Sequence, residues 1–153
     1  MQGKGVRRTQ QVVDANLILK VAGLIAATAN GAVIIDLGGG GQLTMPMVHM
    51  DWVNDVTAIE TATGDEHYTV RLEGSNSATF ASGIEVLDTL ELGHATPQLG
   101  NTDVTADAGR YVKSVANERN GRTYRYLRLH TTVVGTIATG INFVSGLTMR
   151  TGQ

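Results

Sequence analysis

Apolar and polar residues alternate with a period of two along much of this 153-residue chain, the spacing of strands that bury one face. In residues 67–73, Tyr68, Val70 and Leu72 fall on one side of an extended backbone and Thr69, Arg71 and Glu73 on the other. In residues 122–134, Tyr124, Tyr126, Arg128 and His130 point one way while Arg125, Leu127 and Leu129 point the other. Leu127 and Leu129 commit one side of that strand to a core. The opposite side is placed to pack against a second layer or subunit. Further strands are predicted at 32–37, 42–53, 56–62, 84–92, 110–117 and 140–149. Within 84–92, Ile84, Val86, Leu90 and Leu92 share one parity, and Pro46 marks an edge strand or a bulge because it cannot donate to a ladder.

Turn chemistry separates these runs. Gly38 to Gly41 stops the first, and Thr63-Gly64-Asp65 predicts a hairpin joining 56–62 to 67–73. Asn120-Gly121 predicts a second hairpin, joining 110–117 to 122–134. Residues 94–108, with Pro97, Gly100 and Asp103, read as an irregular loop. About eight strands with turns at short intervals and no α/β alternation describe an all-β sandwich, jelly roll or barrel.

Residues 1–30 differ from the rest. Lys4, Arg7 and Arg8 cluster among Gly and Gln, and an interrupted apolar stretch, 12–25, follows them. Its spacing allows an amphipathic helix, but Val12, Val13, Ile18, Val21 and Ile25 are β-branched and Gly23 weakens a helix further. An extended N-terminal arm is expected over 1–30, ahead of a β-domain at 31–153. Such an arm needs a surface, either its own domain or a neighbouring subunit.

Composition narrows the function. The length suits one domain that buries roughly 70% of its unfolded surface without staples. The absence of cysteine removes disulfides, thiolate metal sites and thiol nucleophiles, and it fits synthesis in a reducing cytosol. A formal net charge of -2 excludes a globally basic nucleic-acid binder. No apolar run approaches the ~18 residues of a membrane span. Thr9, Gln10, Gln11 and Asp14 interrupt what a secretory signal needs, so the chain reads as soluble.

Candidate chemistry is sparse. His49, His67, His94 and His130 lack the spacings of a metal site. Gly38 to Gly41 lacks the Lys-Ser/Thr of a phosphate loop. Asn101, Asp103 and Asp107 lack the Gly and terminal Glu of a calcium loop. Ser75, Ser77 and Ser82 have no nucleophile elbow around them. No catalytic, cofactor or metal residue is assigned, and the expectation is a non-enzyme. Arg119, Arg122, Arg125 and Arg128 are expected to pair with carboxylates across a strand or a subunit boundary. Trp52 with Tyr68, Tyr111, Tyr124 and Tyr126 offers an alternative, a carbohydrate-binding β-sandwich module that stacks sugars on aromatic rings.

Several runs, in order, resemble the capsid cement, or decoration, proteins of tailed bacteriophages. They are Asp14-Ala15-Asn16-Leu17, Val33-Ile34-Ile35-Asp36-Leu37-Gly38, Tyr68-Thr69-Val70-Arg71-Leu72-Glu73-Gly74-Ser75, Gly109-Arg110-Tyr111 and Tyr124-Arg125-Tyr126-Leu127-Arg128-Leu129. The resemblance implies a jelly-roll-like domain on the outer surface of a virion, usually a homotrimer, bracing neighbouring copies of the major capsid protein. It implies no direct nucleic-acid or membrane partner, and synthesis in a bacterial cytoplasm. On that reading Lys4, Arg7, Arg8, Val12, Val13, Leu17 and Leu19 are partner-binding residues of the arm, and Tyr124, Tyr126 and Arg128 are interface residues. The basic extension before Asp14 and the long 94–108 loop depart from shorter members of the family.

Overall fold

Tyr68, Val70 and Leu72 are all buried, as their alternation requires, and the strand that carries them lies inside a sheet, not at its edge. The computed structural model describes residues 13, 15–38, 46–93 and 107–149. After a 3-10 turn, Ala15–Leu17, these hold the strands β1 (Ile18–Lys20), β2 (Leu24–Ile25), β3 (Ala29–Asp36), β4 (His49–Ile59), β5 (His67–Ser75) and β6 (Glu85–Gly93). Then come β7 (Gly109–Ala116), β8 (Glu118–Arg119), β9 (Arg122–Thr123), β10 (Tyr126–Val134) and β11 (Ile141–Met149). The first sheet has the order β1-β11-β4-β7, with β2 also beside β11; the second has the order β3-β10-β5-β6. All pairings are antiparallel. The fold is an all-β sandwich.

The inner faces form one core. Met50, Trp52, Val56, Phe143 and Leu147 come from the first sheet, and Tyr68, Val70, Leu72, Leu90, Leu127 and Leu129 from the second. Each such side chain contributes roughly 1.5–3 kcal/mol by leaving water. Trp52 is fully buried, and its indole Nε1 donates to Ser145 Oγ at 2.9 Å, so its one polar atom is satisfied inside the core.

Four expectations are corrected. Runs 42–53 and 56–62 do not form two strands, because β4 passes unbroken through Asn54 and Asp55 while pairing with β11 and β7. Thr63-Gly64-Asp65 does not close a hairpin: β4 and β5 lie in different sheets, and the turn carries the chain between them. Asn120-Gly121 does turn a hairpin, with φ of 53° and 76°, but only the two-residue strands β8 and β9 pair across it, while β7 and β10 diverge into opposite sheets. In β6 a register shift opposite Leu72 and Glu73 turns Leu87 inward and sets Val86 across from the outward Glu73, while Ile84 precedes the strand and is exposed.

The expected boundary at residue 30 falls inside β3. Leu19 is fully buried in the core and β1 pairs with β11, so the stretch from Ile18 onward is integral to the sandwich. Leu37 and Leu17 pack against the same core. Residues 94–106, most of the expected long loop, lie outside the described residues.

Candidate interaction surface

Divergence of β7 and β10 is organised by Asn117, which is fully buried. Its Oδ1 accepts from the Val48 amide at 2.7 Å, and its Nδ2 donates to the carbonyls of Pro46 at 3.2 Å and Tyr124 at 3.0 Å. Pro46 therefore precedes β4 as an acceptor and does not sit within the strand. A bend at Tyr124 and Arg125 then resets the alternation before β10 begins. Tyr124 is buried in the core, opposite to the outward direction expected for it, whereas Tyr126, Arg128 and His130 lie on the outer face of the second sheet.

That outer face is closely paired. Arg128 stands directly across from Glu73, donates to its carboxylate at 2.9 Å, and lies 4.3 Å from the centre of the Phe80 ring. Phe80 adopts a φ of 54°, a left-handed conformation that costs about 1–2 kcal/mol in an L-residue. Burial of its ring against the Arg128 guanidinium offsets that cost. Arg125 grips Asp36 with two hydrogen bonds of 2.7 and 2.8 Å and lies 5.1 Å from the Tyr126 ring centre. That contact, with the Gly38 amide, holds the Asp36 carboxyl down to about 2. Cross-strand ion pairing of Arg125 and Arg128 is thus as expected, but Arg128 is already engaged within its own domain. Phe80 carries no periodic signal in sequence, since it lies in a loop.

At one end of the sandwich, carboxylates hold loops together through backbone amides. Glu60 accepts from the amides of Ala138, Thr139 and Gly140, and Asp65 from the amide and hydroxyl of Thr136. Burial pushes the Glu66 carboxyl up, but donation from the Thr63 hydroxyl and amide and the Gly64 amide outweighs it and brings it down to about 2. Burial first, and then the Glu60 and Glu66 charges, push the Tyr68 phenol up to about 12. An open groove beside this end is lined by Leu24, Ala58, Thr61 and Gly140.

The N-terminal segment meets the outer side of the first sheet. Gly146 on β11 lies opposite Val53 and Ile18, and a Cβ there would collide with Val13 Cγ1 and sit 3.1 Å from the Leu17 carbonyl oxygen. Val13 is therefore seated on its own domain, a surface that the apolar character of the arm calls for. Lys4, Arg7, Arg8 and Val12 lie outside the described residues. Lys20 turns its ammonium onto the carbonyls of Val21, Gly23 and Phe143, with burial lowering its pKa.

Trp52, Tyr68 and Tyr124 all belong to the core, so the aromatic platform expected for sugar stacking is not assembled; Tyr126 and Tyr111 are half-buried and on different sheets. Among the described residues no group of three His, Cys, Asp or Glu side chains is placed to hold a metal ion, and no helix is long and apolar enough to cross a membrane. The class defined by this fold is an antiparallel β-sandwich whose conspicuous polar contacts are structural. No family model matches the chain, and no curated protein sequence matches it.

Proposed function

We propose that this chain is a non-enzymatic docking protein that binds the outside of a viral capsid and braces adjoining major capsid protein subunits, as its resemblance to phage cement proteins implies. The observation that carries the reading is the seating of Val13 on Gly146. It holds Val13, which follows Lys4, Arg7 and Arg8 in sequence, on the outer side of the sandwich. A domain that binds only the assembled shell stabilises that shell by mass action. Self-association is supported by β3, an outer strand of the second sheet on which Val33 and Ile34 are 39% and 41% exposed, and the trimer is what the resemblance implies. The jelly-roll assignment belongs to the same proposal.

Co-sedimentation of the purified protein with assembled capsid shells tests it. Deleting residues 1–12 is expected to lower occupancy while the sandwich stays folded. Failure of the full chain to bind shells sinks the capsid reading, and unchanged occupancy after the deletion removes the arm from it. The carbohydrate alternative loses its central residue, because Trp52 is inside the core.

A further inference from the structure

On the outer face of the second sheet Arg125 holds Asp36 and Arg128 holds Glu73. Arg71 is different. It lies midway along β5, half-buried, and has no hydrogen-bond or ion-pair partner among the described residues. Its neighbours across the sheet are His130 on β10 and Thr89 on β6, and the adjoining row places Thr69 beside Thr132 and Glu91. Directly opposed residues of an antiparallel pair have Cα atoms roughly 4.5–5.5 Å apart, so the Arg71 side chain leaves the sheet beside those of His130 and Thr89. His130 Nδ1 is 2.8 Å from Asn30 Oδ1; a carbonyl oxygen only accepts, so Nδ1 carries a proton and the ring is fixed in place. Four residues along the same face of β5, His67 is 7% exposed and its Nε2 has no partner. Among the described residues, this strand face is left with unmet polar groups at Arg71 and His67.

We infer that Arg71, flanked by His130 and Thr89, is a receptor for a single carboxylate presented by a protein partner. Arg71 is half-buried as a residue, and a planar carboxylate meets a guanidinium through two parallel charge-assisted hydrogen bonds. Charge matching favours a monoanion over phosphate, because Glu91 lies on a neighbouring row and repels a more highly charged group, while Glu73 is already compensated by Arg128. The partner's identity rests on the docking reading above, where it becomes an acidic side chain on the capsid surface. The carboxylate site is tested apart from that reading.

The experiment is nuclear magnetic resonance on the full chain with a capped Gly-Glu-Gly peptide, its Gln counterpart and inorganic phosphate at equal ionic strength. The Glu peptide is expected to move the Arg71 side-chain and His130 ring signals saturably, with the Arg119 and Arg122 signals nearly still. Arg71→Gln is expected to weaken binding at least tenfold, and Arg71→Lys to keep part of it. Equal movement at all three arginines, or tighter binding of phosphate at Arg71, overturns the carboxylate receptor. On shells, Arg71→Gln is expected to lower occupancy, and full occupancy by this variant overturns the docking role. Peptide binding without any attachment of the unaltered chain to shells supports the receptor and sinks the capsid partner.

Discussion

Tyr124 and Asn117 are joined twice: the Tyr124 amide donates to the Asn117 carbonyl at 2.7 Å, and the Asn117 side-chain amide donates to the Tyr124 carbonyl at 3.0 Å. The two residues flank the β8–β9 hairpin, so this double link sets where the chain leaves one sheet and enters the other.

Asn117→Ala removes three side-chain hydrogen bonds and leaves the Val48 amide and the Pro46 and Tyr124 carbonyls without that partner. The expected loss is about 2–3 kcal/mol, read as a lower urea midpoint with an unchanged slope. Asn117→Asp keeps the acceptor for Val48 but aims a carboxylate at two carbonyl oxygens, so it is expected to be worse than Ala at pH 7 and to improve as the pH is lowered. Equal stability of Asn117→Ala and the parent contradicts the role of this residue.

Gly146→Ala forces Val13 away from β11. The nearest obstructing atom is the end of a side chain and the Leu17 carbonyl oxygen at 3.1 Å needs only a small shift, so the sandwich is expected to stay folded while the segment before Ile18 becomes more open to protease. Val13→Ala in the same protein vacates the space and is expected to restore part of the protection. Identical cleavage of all three proteins contradicts the contact.

The carboxyls of Asp36, Glu60, Asp65 and Glu66 all lie below their ordinary values in the folded chain, through Arg125 at Asp36 and through backbone and hydroxyl donors at the others. Groups with depressed folded values stabilise the fold above their unfolded values of 3.8 to 4.5. That stabilisation disappears as the pH falls toward the folded values of about 2 for Asp36 and Glu66. Urea midpoints are expected to hold from pH 7 to about 5 and then decline, with a shallower decline in Glu66→Gln. A flat profile down to the folded values would falsify this assignment.

Two ion pairs, one across neighbouring strands and one between the sheets, differ in burial and so in expected effect. Arg128 and Glu73 have side chains 13% and 8% exposed, whereas Lys113 and Asp88, which link the open edges of the two sheets, are 36% and 27% exposed. Glu73→Gln strands a buried guanidinium and is expected to cost about 3 kcal/mol or more. Asp88→Asn is expected to cost about 1 kcal/mol or less and to lose its effect in high salt. Comparable costs for the two substitutions contradict this ordering.

Strand positions were legible where both neighbours in a sheet agree with local alternation. Tyr68, Val70 and Leu72, or Leu127 and Leu129, need no knowledge of a partner to be assigned inward. Breaks in alternation were not legible: Leu87 turns inward only because of a shift against β5, and Tyr124 only because a bend precedes β10. Asn54 and Asp55 look like a turn locally, yet β4 continues through them because β11 and β7 satisfy its backbone on both sides. Of the candidate interface residues, Tyr126 and Arg128 face outward as expected, Tyr124 does not, and that Arg71 has no partner among the described residues becomes visible only when its cross-strand neighbours are known.

Period-two alternation and turn residues by themselves determined that this chain is all-β, roughly where its strands run and that Asn120-Gly121 turns a hairpin, because these follow from local backbone geometry and one-sided burial. Tertiary structure alone decided which strands pair, that Thr63 to Asp65 and the β8–β9 hairpin carry the chain between sheets, and that Leu19 belongs to the core while Val13 lies outside it. Pairing and side choice depend on residues far apart in the chain competing for the same backbone partners and the same apolar interior, and no local pattern encodes that competition.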